Sequence, residues 1–269
     1  MNSPVRRYAV CFAVLSWVAI AWSGCATQKK TVTPEEARAR GEQLLRQMSN
    51  KLASAPAMTF ETSESHDRVR RNGQKKEFRF SREVTLRRPG NVLFRYTEGD
   101  RDGTACYDGK KVTLVSNKHK VWVQGKVPAT IDETIDYLAD HYDVPLPMAD
   151  LMYSSPYDAL MTPDTKGGYV GTEKIEGSDC EHLSYQHEVV DWDIWVAVKG
   201  DPLPCRLQIL HKQDAGQPKS VLTFRNWNLA PQLTDDMFAA KIPEGYERIA
   251  LLEKATEDDL PKAKPTKQK

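Results

Sequence analysis

Residues 78–96 read Phe-Arg-Phe-Ser-Arg-Glu-Val-Thr-Leu-Arg-Arg-Pro-Gly-Asn-Val-Leu-Phe-Arg-Tyr, and this segment predicts the architecture of the chain. Apolar residues at 78, 80, 84 and 86 alternate with polar ones, which is the period of a β-strand with one buried face. Arg88-Pro89-Gly90-Asn91 then turns the chain into Val92-Leu93-Phe94-Arg95-Tyr96. The segment therefore predicts an antiparallel hairpin.

Strand patterns continue on both sides of this hairpin. Period two begins near Met58, and Asp108-Gly109 marks a tight turn between residues 105–107 and 112–115. Further strands are predicted at 121–123, 169–175, 181–187, 191–198, 205–210 and 220–227.

Two capping motifs predict helices. Thr33-Pro34-Glu35-Glu36 offers an N-cap, a proline at the first helical position and a capping-box glutamate. The apolar face that follows is Gly41, Leu44, Leu45, Met48 and Leu52. Thr130-Ile131-Asp132-Glu133 repeats the motif before a second face, made of Ile131, Ile135, Leu138 and Tyr142. Residues 148–153 and 157–161 predict two shorter apolar helices.

The order of these elements predicts the fold class. About ten strands follow one another around a central helical insertion, without the strand-helix alternation of a parallel sheet. We therefore predict an α+β domain, in which a strongly curved antiparallel sheet carries helices on one face. A sheet of this size tends to curl, and curling creates a concavity.

The N-terminus predicts export. Arg6-Arg7 precede an apolar run, Tyr8 to Trp22, which has the length of a signal peptide and is short for a bilayer span. The run leads into Ser23-Gly24-Cys25, which resembles the lipobox of bacterial lipoproteins, although Trp22 stands where an aliphatic residue is usual. The resemblance implies that Cys25 is lipidated and holds the protein to the membrane.

The chain then divides into four segments. We predict a lipoprotein signal peptide at 1–24, a tether at 25–33, one domain at 34–252 and a disordered charged tail at 253–269. Ordinary cleavage near Ala26 and an uncleaved anchor are the alternatives for the leader. Ala26 stands where lipoproteins kept in the inner membrane carry aspartate, so the resemblance implies the periplasmic face of the outer membrane.

Composition limits the classes of function. Lys and Arg number 38 against 37 Asp and Glu, a net charge of +1 that argues against a nucleic-acid-binding surface. Beyond the leader the cysteines are Cys106, Cys180 and Cys205. An oxidising envelope favours a Cys180–Cys205 disulfide, with three buried thiols as the alternative. Neither metal-ligand spacing nor a cofactor motif occurs, so we expect no metal and no cofactor.

One carboxylate pair is compatible with catalysis. Asp191 and Asp193 flank Trp192, so strand geometry places both carboxylates on one face, about 7 Å apart. That spacing suits a hydrolase or a hard cation, and a solvated sheet face is the alternative. His182 and His187 fall on opposite faces of the preceding strand and cannot share a metal without a bulge. We therefore predict no catalytic residue.

Aromatic residues on the strands suggest an apolar cavity. Trp192 and Trp195 lie on opposite faces of one predicted strand, so either both faces are covered or one lines a cavity. The predicted ligand-binding residues are Phe94, Trp122, Leu151, Met152, Tyr153, Trp192, Trp195 and Trp227. A sheet buried by its own helices is the alternative.

A series of motifs occurs in the order found in one protein family. The series includes Arg87-Arg88-Pro89, Tyr107-Asp108-Gly109-Lys110, Cys180-Glu181-His182-Leu183, Asp191-Trp192-Asp193-Ile194-Trp195 and Asn226-Trp227-Asn228. From about residue 40 to 250 the chain resembles predicted periplasmic proteins of unknown function, placed near the LolA and LolB lipoprotein carriers. This resemblance implies a LolA-like incomplete β-barrel, whose concave face is capped by helices and can hold acyl chains. Residues 238–245 resemble the final strand of such carriers.

These observations favour a non-enzymatic envelope lipoprotein that binds a lipid or an acylated protein in an apolar hollow. The first alternative is an envelope interaction or sensor module, like RseB, with a protein partner. The second is an envelope hydrolase that uses Asp191 and Asp193.

Overall fold

The structure, a computed structural model, describes residues 33–70, 73–142 and 146–251. The helices are α1 (Pro34–Ser54), α2 (Ile131–Tyr142) and α3 (Pro156–Leu160), with 3-10 turns at Ala149–Leu151 and Asp235–Phe238. The strands are β1 (Ala57–Val69), β2 (Lys75–Arg87), β3 (Asn91–Glu98), β4 (Arg101–Tyr107), β5 (Lys111–Ser116), β6 (Val121–Lys126), β7 (Lys166–Ile175), β8 (Ser178–Gln186), β9 (Val190–Ala197), β10 (Pro204–His211), β11 (Lys219–Asn228) and β12 (Glu247–Arg248). The predicted leader, Cys25, the tether up to residue 32 and the tail from residue 253 lie outside the described residues.

These strands form one curved sheet in the order β12-β6-β5-β4-β3-β2-β1-β11-β10-β9-β8-β7. Neighbouring strands are antiparallel except for β12 and β6, a parallel pairing that the sequence did not predict. The sheet is open, because β12 and β7 each have a partner on one side only within the described part of the chain. The predicted fold class, a curved antiparallel sheet forming an incomplete barrel, is confirmed.

The hairpin of residues 78–96 lies near the middle of the sheet. Its register sets Val84 opposite Phe94 and Leu86 opposite Val92. β1 pairs with β2 on one side and with β11 on the other. One strand therefore joins the strands before the helical insertion to those after it, and the two groups form a continuous surface.

Helix α1 begins at the predicted capping box. Thr33 Oγ1 accepts the Glu36 N–H at 3.2 Å, and the Glu36 carboxylate accepts the Thr33 N–H at 2.9 Å. The apolar face buries Leu45, Met48 and Leu52 completely. At Gly41 the helix touches β7 so closely that a Cβ would lie 2.7 Å from the Gly168 Cα, which explains glycine there.

The helices divide the concave face into two halves. On one half, α1 contributes Leu45 and Met48 to a core shared with Leu183, Ile194 and Leu207 of β8, β9 and β10. On the other half, α2 lies over β2 to β5. The first half is filled with side chains, whereas the second half encloses space.

The C-terminal part differs from the expected final strand. Residues 238–245, which resemble that strand, contain the end of a 3-10 turn and irregular backbone, and the pairing segment is the short β12. Phe238 is 1% exposed and packs with Leu93 and Cys106, whose side chains lie on the convex face. Because the Phe238 ring is buried there, residues 238–245 do not pair with an edge strand of the sheet. One helical turn therefore lies on the convex face.

The three cysteines within the described residues form one disulfide and one free thiol. A disulfide joins Cys180 and Cys205, and Cys106 is a buried free thiol. No helix in residues 33–70, 73–142 or 146–251 is long and apolar enough to cross a membrane.

Candidate functional site

The unfilled half of the concave face contains a cavity of about 530 Å³ between α2 and strands β2 to β5. Most of the lining is apolar and includes Phe78, Phe80, Phe94, Leu114, Ile135 and Leu138. Ligand pockets in proteins commonly measure about 300–1,000 Å³ and have mainly apolar walls with a few polar groups. The cavity has the size and lining of a small-molecule site.

Local sequence patterns build both walls. The inward positions of β2 and β3 are alternate residues, so Phe78, Phe80 and Phe94 point to the same side. On α2, Ile135 and Leu138 follow Ile131 at helical spacing and face the strands. The apolar and aromatic wall residues from α2 are those that the helical periodicity predicted, and Thr134 is a lining residue that it did not predict.

The N-terminal end of α2 is fastened to the sheet. The Ile131 N–H donates to the Pro89 carbonyl at 2.8 Å. Tyr107 Oη and Thr134 Oγ1 donate to the Pro128 carbonyl at 2.8 and 3.1 Å. This end of the helix is therefore held by the turn of the central hairpin and by β4.

Burial differs between the two ends of the cavity. Val92, Tyr107 and Ile131 line one end and are at most 4% exposed. At the other end Phe78 is partly exposed and Arg68 is exposed. We call these the deep end and the rim.

A charged cluster lies between the deep end and the rim, and consists of Thr62, Glu64, His66 and Arg82. Glu64 has a side chain with no exposed surface and pairs with Arg82. It also accepts hydrogen bonds from Thr62 at 2.6 Å and from His66 Nε2 at 3.3 Å. Burial raises the pKa of Glu64, but hydrogen bonding from His66 and the charge of Arg82 outweigh burial and lower it.

Contacts with Ser220 and Phe80 hold the His66 ring in place. His66 Nδ1 lies 2.7 Å from Ser220 Oγ on β11, and the ring stacks on Phe80 with centroids 4.7 Å apart. The Arg82 guanidinium also lies over the Phe80 ring, at 4.5 Å. The His66 ring and the Arg82 guanidinium therefore both have fixed positions on the Phe80 ring.

Arg88, which does not line the cavity, holds the loop that contains Met152 and Tyr153. Its Nη1 and Nη2 donate to the carbonyls of Met152 and Tyr153 at 2.9 and 3.0 Å. Burial lowers the pKa of Arg88. The loop that carries Met152 into the cavity is therefore attached to the hairpin turn.

Asp150 gives this loop a pH dependence that can be measured. Burial raises its pKa from an ordinary 3.8 to about 6, so the folded protein favours the protonated form. The folded state therefore loses stability as pH rises from about 4 to 6. We expect Asp150→Asn to raise the unfolding free energy by about 2–3 kcal/mol at pH 7.5, and by little at pH 4.

Urea unfolding at the two pH values measures this difference. Asp140→Asn, at an exposed position of α2, is the matched control and should behave as wild type at both. An equal effect of Asp150→Asn at both pH values would contradict the raised pKa of Asp150 as the cause.

Of the eight predicted ligand-binding residues, the structure brings Phe94 and Met152 to the cavity. Leu151 is 2% exposed and belongs to the main core. Tyr153 lies outside the lining and donates its hydroxyl to Asp136 on α2. The short helical segment thus contributes packing residues and one wall residue.

The four tryptophans lie elsewhere. Trp192 stacks on Tyr185 in the filled half, with centroids 4.3 Å apart. Trp195 lies on the opposite face, stacked on His182 at 4.3 Å. Trp227 stacks on Phe60 at 4.3 Å. Trp122 of β6 lies under the guanidinium of Arg248 of β12. All four tryptophans lie on strands, as predicted from the sequence. Which part of the concave face stays open depends instead on the packing of α1 and on the curvature of the sheet.

The charged cluster was not predicted from the sequence. Thr62, Glu64 and His66 continue the inward positions of β1 after Met58 and Phe60. The period-two pattern could have placed them on the inner face. Their pairing with Arg82 and Ser220 required the registers of β2 and β11.

Asp191 and Asp193 do not act as a pair. Asp191 binds Lys212 at 3.0 Å, whereas Asp193 binds His182 Nε2 at 2.9 Å and accepts from Gln208 at 3.3 Å. Each carboxylate therefore has its own basic or amide partner. The described residues contain no group of three or more His, Cys, Asp or Glu side chains placed to hold a metal ion.

Several solved structures are similar to this chain. The Mycobacterium tuberculosis lipoprotein LppX has 14% identity and a TM-score of 0.44, covering 72% of this chain and 97% of that one. A LolA superfamily protein from Nitrosomonas europaea has 13% identity and a TM-score of 0.38, covering 75% and 98%. MucB in the Pseudomonas aeruginosa MucA/MucB complex has 16% identity and a TM-score of 0.32, covering 75% and 61%.

The sequence itself identifies the family. No curated protein matches it significantly. Residues 41–252 match the family described as predicted periplasmic protein (DUF2092), a range that contains every described strand and most of α1. The chain belongs to this family of predicted periplasmic proteins.

Proposed function

We propose that this protein is a non-enzymatic lipoprotein of the cell envelope that binds a lipid or an acylated protein in the cavity beneath α2. The observation that carries the proposal is an apolar cavity of about 530 Å³ in a sheet whose other half is filled by α1 and α3. The helices cover this half of the sheet without filling it.

Physical chemistry favours an acyl chain as the occupant. Transfer of each methylene from water into an apolar site contributes about 0.8 kcal/mol. Phe94, Leu114, Ile135 and Leu138 supply such walls. An apolar lining with few directional groups suits a chain that has no polar atoms of its own.

The predicted lipid anchor limits how the protein acts. A domain held to one leaflet through Cys25 works within reach of that leaflet. We therefore favour a docked acceptor or sensor over a freely diffusing carrier. The family description, predicted periplasmic protein, supports the envelope location.

Mass spectrometry of the full chain, purified from membranes, tests both parts of the proposal. We expect a mature N-terminus at Cys25 with the added mass of two or three acyl chains. We also expect a co-purifying lipid in the solvent extract. An unmodified Cys25 contradicts the anchor, and a protein that carries no lipid and takes up none contradicts the binding function.

An interaction module is the second candidate function. Within the described part of the chain β7 is an edge strand, and an edge strand can pair with a strand from a partner. Val170 on β7 is 58% exposed and offers an apolar contact beside this edge. This alternative predicts a captured envelope protein and an empty cavity.

A further inference from the structure

We propose that the cavity selects an anionic amphiphile, with the acyl chain toward the deep end and a carboxylate or phosphate against Arg82. This inference rests on the proposed function, because it assigns the chemical class of the ligand to the same cavity. The charged cluster on the concave face carries it.

The Glu64 carboxylate, which does not line the cavity, holds the Arg82 guanidinium at the cavity wall. Arg82 and His66 are lining residues, whereas Glu64 lies behind them with no exposed side-chain surface. A guanidinium has five N–H donors, and one of them is engaged by Glu64. Glu64 therefore orients the Arg82 guanidinium. The remaining N–H donors of Arg82 are the groups that a ligand in the cavity would contact.

The acidic side chains at the rim are engaged by basic groups outside the lining. Asp67 pairs with Lys75 at 3.4 Å, and Glu98 pairs with Arg101 at 3.7 Å. Arg68 also lines the rim and lies over the Phe78 ring at 4.4 Å. The charge arrangement at this end therefore favours an anion.

Stability alone does not account for the cluster. Replacing a buried ion pair with apolar residues of similar volume is often neutral or stabilising. Here the pair occupies inward positions between Phe60 and Phe78, where apolar residues would continue the wall. A paired arginine beside an apolar chain site instead provides the charge-assisted hydrogen bonds that recognise a carboxylate or phosphate.

Calorimetric titration of the full chain, in a fixed concentration of non-ionic detergent, tests the selection. The probes share one acyl length: myristate, myristyl phosphate, neutral monomyristoylglycerol and cationic myristyltrimethylammonium. We expect the two anions to bind about tenfold more tightly than the neutral probe, the contribution of one charged hydrogen bond. The cation should bind most weakly.

Variants assign the preference to Arg82. The double variant Arg82→Gln, Glu64→Gln removes both buried charges together, and should reduce the anion-to-neutral ratio to about one. Arg95→Gln removes an exposed arginine from the opposite face of β3 and should leave the ratio unchanged. An unchanged ratio in the double variant overturns the inference.

Short anions separate a lipid headgroup from a free anion. Acetate and inorganic phosphate contain the charge without the chain, and we expect no binding at the concentrations that saturate myristate. Equal affinity for short and long anions overturns the amphiphile assignment. Equal binding of anionic and neutral long-chain probes overturns the inference but leaves the proposed function standing. The proposed function itself fails if no long-chain probe binds.

Discussion

Ala105→Trp is expected to abolish binding of long-chain amphiphiles while leaving the protein folded. Ala105 lies on β4 between Phe94 and Leu114, and its side chain faces the cavity. An indole at this position occupies space that an acyl chain would fill. Displacing two methylenes already lowers affinity by about tenfold, so we expect a loss of at least that size. The unfolding free energy should change by no more than about 1–2 kcal/mol, because the ring enters existing space.

Thr97→Trp is the matched control for this prediction. Thr97 is exposed on β3 and faces away from the cavity, so the added ring meets solvent. Titration with myristate and urea unfolding, carried out on both variants, separate a blocked cavity from a damaged fold. Wild-type affinity in Ala105→Trp would place the ligand elsewhere.

Arg82→Ala is expected to lower the unfolding free energy by about 3–5 kcal/mol. The substitution leaves the fully buried Glu64 carboxylate without its cationic partner. Thr62 and His66 still donate to it, but neither supplies a permanent positive charge. Desolvation of the carboxylate is then poorly compensated, and the folded state bears the cost.

Two comparisons measured by urea unfolding make this prediction specific. Arg95→Ala removes an exposed partner of Glu83 at 3.7 Å and should cost less than about 1 kcal/mol. Adding Glu64→Gln to Arg82→Ala should recover most of the lost stability, since no buried charge remains. Equal losses in Arg82→Ala and Arg95→Ala would mean that Glu64 is not desolvated as the structure describes.

Much of the fold was predictable because its signals are local. The alternation around Phe78 and Phe80, the capping box at Thr33 and the helical spacing from Ile131 to Tyr142 each depend on residues within a few positions of one another. The final strand was predicted wrongly because residues 238–245 are held by Phe238 on the convex face, a contact between distant segments.

The site was predictable only in part. The apolar side chains of α2 followed from periodicity, and Phe94 and Met152 from their residue types. The tryptophans were assigned to the cavity because they lie on predicted strands, one of which has a tryptophan on each face. In the structure, Trp192 and Trp227 pack against Tyr185 and Phe60 instead. Amino-acid type alone does not distinguish core packing from a cavity wall.

Local periodicity and short motifs were sufficient for the strand and helix pattern, for the family and for the expectation of an exported, lipid-anchored chain. Which half of the concave face remains open, and which charged side chains meet inside it, depends on contacts between distant segments. Glu64 and Arg82 are 18 residues apart in sequence, and His66 and Ser220 are 154 apart. Such contacts follow from strand register across the whole sheet, and register is set by the packing of distant elements.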